Sequence, residues 1–199
     1  MDRAEIERSL TAAWRLFLGK PEAMRLFDTS ADGFWRSFRA IFLILPFYLI
    51  TSLADRADLL HDSVPDDNFS DGAFWFAKTL TLCLDWVTLP ILLGLLSNFI
   101  NIARGYPAYV VARNWATVLM IVPFAGIALI EYLGLMGPEL LFLPSVVAFG
   151  AALRMSYLVA RRALQATPDI AIALVIFDFL ISLALVMSIN RLFGIVPAG

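Results

Sequence analysis

Two carboxylates sit where carboxylates are expensive. Asp85 and Asp178 each interrupt a long apolar run. An acid placed in hydrocarbon costs several kcal/mol unless it is neutralised, paired or facing water, which makes it a functional candidate by default. On a helical wheel Lys78, Thr81, Asp85 and Thr88 fall on one polar stripe. Asp178 has Ser182 one turn later and otherwise apolar neighbours: Leu174, Val175 and Leu185. The chemistry such groups offer is a cation or proton relay, or a polar substrate site. The structural alternative pairs Asp85 with Lys78 toward the outer surface, and leaves Asp178 protonated and hydrogen-bonded to a neighbouring helix. Both readings stay open at this point.

Other chemistries lack parts. The chain of 199 residues has one histidine, His61, and one cysteine, Cys83, so hydrolytic Ser-His and Cys-His engines have few members to draw on. No zinc-protease, nucleophile-elbow, phosphate-loop or dinucleotide motif is present. An aspartyl pair made from Asp85 and Asp178 matches no intramembrane protease motif. The acidic stretch Asp66–Gly72 fails the calcium-loop spacing, because the glycine comes one place late from Asp66, and a start at Asp67 puts Phe69 on a ligand position. The expectation is a protein with no enzymatic activity, metal or cofactor. No basic tract suggests nucleic acid.

Five apolar runs must position the two acids. They cover Ser37–Ala54, Phe74–Ile102, Asn114–Tyr132, Glu139–Ala160 and Pro168–Phe193. Each is long enough to cross roughly 30 Å of hydrocarbon at about 1.5 Å per residue. With 60% hydrophobic and 16% charged residues, the chain predicts an all-α membrane helix bundle of five transmembrane helices in contact with the lipid bilayer. Pro46, Pro90, Pro123 and Pro144 place a helix-weakening residue inside four of the five.

Orientation follows from the cations. Twelve of the fifteen lysines and arginines precede or open the first run, lie between the second and third, or end the fourth; only Arg56, Lys78 and Arg191 fall on the other side. The positive-inside bias predicts a cytoplasmic N-terminus and an outside C-terminus in a cell membrane, the inner membrane in a Gram-negative cell. Three regions result: a cytoplasmic segment 1–35 retained in the mature protein, a spanning domain 36–193 and a short outside tail 194–199.

Within the first segment Ile6, Leu10, Ala13, Trp14 and Phe17 recur at helical spacing opposite Arg3, Glu7, Arg8 and Arg15. This predicts an amphipathic helix, resting on the membrane surface through Ile6, Leu10, Trp14 and Phe17 or packing on the bundle. In the fourth run Ala148, Ala152, Ser156 and Ala160 recur at every fourth position. Such small residues let a helix approach closely, within the same fold, in a second copy or in another membrane protein.

The lead-in Phe27-Asp28-Thr29-Ser30-Ala31-Asp32-Gly33-Phe34-Trp35-Arg36-Ser37-Phe38, with the five-run layout, resembles the Yip family of small five-span membrane proteins and their short bacterial relatives. The resemblance implies a cytoplasmic N-terminal segment before five spans. The family's Asp-Leu-Tyr-Gly-Pro-type motif is missing, so no functional residue and no role with Rab-type GTPases follows. The first functional reading is a non-enzymatic scaffold or interaction protein in membrane organisation. The alternative is a small transporter or channel for a cation or small solute built on the two acids.

Overall fold

The computed structural model describes residues 2–62, 70–99 and 102–195. The described residues form helices joined by short turns, with no strands. Asp2 caps α1 (Arg3–Phe17) by accepting the Glu5 backbone N–H at 2.7 Å. A 3₁₀ helix, Pro21–Leu26, follows with proline at its start, as the missing N–H of proline allows. α2 (Ala31–Ser37) opens on the Ser30 hydroxyl, which accepts the Gly33 N–H at 3.1 Å. A short 3₁₀ turn, Phe38–Ala40, joins α2 to α3 (Ile41–Asp62). Four long helices complete the chain: α4 (Asp71–Leu96), α5 (Tyr106–Tyr132), α6 (Pro138–Ala163) and α7 (Pro168–Leu192).

Five of these stretches are long and apolar enough to cross a membrane: the continuous Ala31–Leu60 and helices α4 to α7. Their outward faces carry Phe42, Leu95, Leu140, Phe142, Val147 and Met187, each more than 60% exposed. A surface this apolar is suited to lipid and would drive association in water. The chain is an integral membrane helix bundle.

The helix α5 is its centre, with Val110, Ala112, Asn114 and Trp115 all but sealed and with contacts to α1, α2, α3 and α6. α7 packs between α4 and α6. The main core gathers at the N-terminal end of α5, where Leu16, Ile44, Val110, Trp115, Met155 and Val159 meet. A smaller cluster of Phe74, Ala77, Ile189 and Ile195 closes the far ends of α4 and α7. Gly105 permits the tightest crossing: a Cβ there would lie 2.6 Å from the Ala163 carbonyl oxygen and 2.8 Å from the Leu164 Cα.

α1 packs on this bundle. Its face against α5 and α6 is centred on Ser9, Ala12, Ala13 and Leu16, all nearly sealed. Ile6, Leu10 and Phe17 border the same core half-buried, while Trp14 is 50% exposed and stacks on Phe17 with centroids 5.6 Å apart. The contact face is thus turned toward the small residues, because close helix approach selects alanine and serine over bulk. Arg154 of α6 caps the end of α1 by donating to the Phe17 carbonyl, with its guanidinium 4.9 Å from the Phe17 ring centroid.

A second tie fixes the lead-in. Arg36 donates to Glu5 of α1 at 3.0 Å and to Asp28 at 2.5 Å. Asp28 also accepts the Ser30 hydroxyl at 2.6 Å and its N–H at 3.1 Å. Those bonds from Ser30, reinforced by Arg36, hold the Asp28 carboxyl below its ordinary range. A Cβ on Gly33 would come within 2.2 Å of the Asp28 carbonyl oxygen, so the patch closes only around glycine.

A carboxylate pair and a buried arginine as the candidate functional site

The intramembrane acids come together. Asp85 of α4, Asp178 and Ser182 of α7, and Arg113 and Tyr109 of α5 line one cavity of about 210 Å³, completed by Ala152 and Ser156 of α6. Arg113 donates to Asp178 across 3.3 Å, with side chains 12% and 23% exposed. The Ser182 hydroxyl donates to Asp85, tying α7 to α4. At about 1.5 Å per residue, Asp178 lies roughly 15 Å along α7 and Arg113 roughly 10 Å along α5, both well inside their spans.

The local reasons are legible. Arg113 enters the interior because α5 begins at Tyr106, with Pro107 in its first turn after Gly105. The sequence boundary at Asn114 had left Arg113 outside the span as a flanking charge. The apolar Tyr106–Ala112 stretch, with Pro107 at its second position, is the signal that places it inside. Tyr109, one turn earlier, carries no distinct signal in the sequence, because an aromatic residue in an apolar helix reads as core.

The pairing expected between Lys78 and Asp85 does not form. Seven residues on one helix are separated by about 10 Å of rise, beyond ion-pair reach. Lys78 instead binds Asp55 of α3 at 2.5 Å, and its backbone carbonyl accepts the Tyr48 hydroxyl at 2.9 Å. Thr81 and Thr88 are half-buried and line no part of the cavity. Nor is Asp178 left to a neutral hydrogen bond; its partner on the neighbouring helix is a guanidinium. Ser182, expected beside Asp178, serves Asp85 instead.

The small-residue series of α6 turns inward. Ala148 and Ala160 are buried and the two between them line the cavity, so this face turns toward the interior of the fold. Of the intraspan prolines only Pro90 is buried, and none lines the cavity. The His61 side chain and Asp66–Phe69 of the outer loop lie outside the described residues. Among the described residues no three histidine, cysteine, aspartate or glutamate side chains converge as a metal site would need.

Chemically, the arrangement carries one cation and two carboxylates. Arg113 makes a single side-chain hydrogen bond, to Asp178, and its fork of N–H donors otherwise borders the cavity. Asp85 accepts the Ser182 hydroxyl and has no cationic partner among the described residues. A carboxyl so placed suits a proton or a small cation.

Comparison with protein-family models, curated proteins and solved structures gave no match. The likeness to the Yip family stands on the five-span layout and the Phe27–Phe38 patch alone.

Proposed function

We propose that this membrane protein handles a proton or small monovalent cation through Asp85, with Asp178 and Arg113 as the fixed pair beside it. The observation that carries the reading is the shared cavity: two carboxylates and one guanidinium on three different helices face the same small space. A charged pair used only as a brace needs no second acid. Asp85, held by the Ser182 hydroxyl, is the carboxyl of the cavity that no guanidinium engages among the described residues. The role is transport or relay without covalent chemistry, in a cell membrane with the N-terminus cytoplasmic, as the distribution of arginine and lysine favours.

The scaffold reading keeps one observation of its own. Arg113–Asp178 links α5 to α7, and a static brace there would hold the bundle in one arrangement. Reconstitution in vesicles with an internal pH-sensitive dye separates the two. Under the transport reading, wild-type protein passes protons or an imposed sodium or potassium gradient, and Asp85→Asn abolishes the flux while thermal unfolding is unchanged. Wild-type vesicles as tight as empty ones under all three gradients would return the protein to the scaffold class.

A further inference from the structure

The end of the bundle that carries α1 holds a second polar feature, separate from the intramembrane cavity. Where the 3₁₀ helix Pro21–Leu26 passes the last turn of α6, a groove of about 600 Å³ opens. Three guanidiniums line it, Arg25 from the 3₁₀ helix and Arg161 and Arg162 from α6, and no carboxylate does. Arg161 is held in place by donating to the Ala166 carbonyl in the turn to α7. That turn is set by Gln165, a lining residue in the left-handed region at φ 52°. Arg25 and Arg162 are exposed and have no hydrogen-bond or ion-pair partner among the described residues.

Like charges gathered from two elements repel one another unless an anion joins them. Arg3 is paired with Glu7, and Arg36 with Glu5 and Asp28. In the groove Arg161 feels Asp169 in the first turn of α7, while Arg25 and Arg162 have no such partner among the described residues. Guanidinium forks match phosphate oxygens in pairs, which a single lysine cannot do. Met24 and Leu158 give the groove an apolar side next to the cations. Basic grooves with an apolar side at the cytoplasmic ends of spanning helices suit anionic lipid headgroups.

We propose that this groove binds a phosphate group, with the phosphodiester of an anionic phospholipid favoured by the apolar wall of Met24 and Leu158. Such a lipid, seated against both the 3₁₀ helix and α6, would pin the N-terminal segment to the bundle. The proposal is independent of the cation reading, since none of its residues touches the Asp85 cavity.

The test is thermal unfolding of the purified full chain in neutral detergent, followed by its tryptophan fluorescence. Phosphatidylglycerol, phosphatidylcholine and inorganic phosphate are titrated separately into wild type, Arg25→Gln/Arg162→Gln and the charge-matched control Arg15→Gln/Arg39→Gln. The expected result is a saturable rise in melting temperature with phosphatidylglycerol but not phosphatidylcholine. The midpoint should shift at least about fivefold in the Arg25/Arg162 variant and stay within about twofold in the control. The same variant-sensitive rise with inorganic phosphate would identify free phosphate as the occupant and keep the site. Equal responses in the two variants, or no response to either phosphate compound, would overturn the proposal.

Discussion

Removing Arg113 should reveal what its charge does, because the structure fixes both the penalty and its escape route. In Arg113→Met a side chain of similar length fills the space, and Asp178 loses the guanidinium it is bonded to. Stripping one member from a buried ion pair typically costs about 3–5 kcal/mol. The stranded carboxyl can avoid part of that by taking up a proton, at about 1.4 kcal/mol for each pH unit above the ordinary aspartate value of about 3.9. The loss is therefore capped near 4 kcal/mol at about pH 7 and near 1.5 kcal/mol at about pH 5. Wild type, measured at each pH, is the reference. Reversible unfolding in mixed micelles at the two pH values measures the difference directly. Arg113→Met/Asp178→Asn, with both charges gone, should recover most of the stability at about pH 7, as replacements of whole buried pairs commonly do. A deficit equal at both pH values, or a double variant no better than the single, would show that packing and not charge sets the role of Arg113.

Three further outcomes follow from the geometry. Gly105→Ala puts a methyl group 2.6 Å from the Ala163 carbonyl oxygen, between two backbones that cannot yield; it should cost about 1–3 kcal/mol by unfolding, while Gly126→Ala, with open space around it, should cost little. Because Asp28 titrates below its unfolded value, its contribution is complete above about pH 4 and is lost as pH falls through the lower folded value. Protease protection of the first 30 residues should therefore be constant from about pH 8 to pH 5 and fail only below about pH 4, whereas Arg36→Gln should weaken it at every pH. Reporter fusions after residue 20, near residue 62 and at the C-terminus should read inside, outside and outside, and a cytoplasmic C-terminus would break the five-span topology.

The long helices were legible because apolar runs of this length have few alternatives to spanning a membrane. α6 and α7 stand close to their expected bounds, while α5 begins at Tyr106 instead of Asn114 and α4 ends at Leu96 instead of Ile102. The first span was underestimated: it starts at Ala31, since the Ser30 cap and the Arg36 tie carry helix through a polar stretch that hydropathy alone excludes. The site was half legible. Asp85 and Asp178 were conspicuous as acids in hydrocarbon, but which cation each met depended on how four helices pack, and spacing along one helix holds no such information. Lys78 shows the limit most clearly: its stripe with Asp85 is real, yet the nearer acid was Asp55 on another helix. Arg113 was missed for a related reason, since a charge at the edge of an apolar run looks the same whether the helix begins before or after it. For α1 the period was right and the contact face was rotated, because alanine and serine carry little hydropathy signal yet permit the closest packing.

The Arg113–Asp178 pair also bears on how the chain is made. Its members stand 65 residues apart, with Asp178 in the last span. At about 5–20 residues per second, the arginine enters the bilayer roughly 3 to 13 s before its acid leaves the ribosome. During that interval the third span carries an uncompensated cation, an insertion burden of about 2.5–3.5 kcal/mol if it sat at mid-membrane. Its place within the first turns of α5 lets the guanidinium reach back to the headgroups meanwhile. The last span then does more than add a helix: its arrival lets the third settle to its final depth. A chain stopped after Thr167 should accordingly be degraded faster in cells than the same truncation carrying Arg113→Leu, and equal lifetimes would mean that the arginine finds its depth without waiting for Asp178.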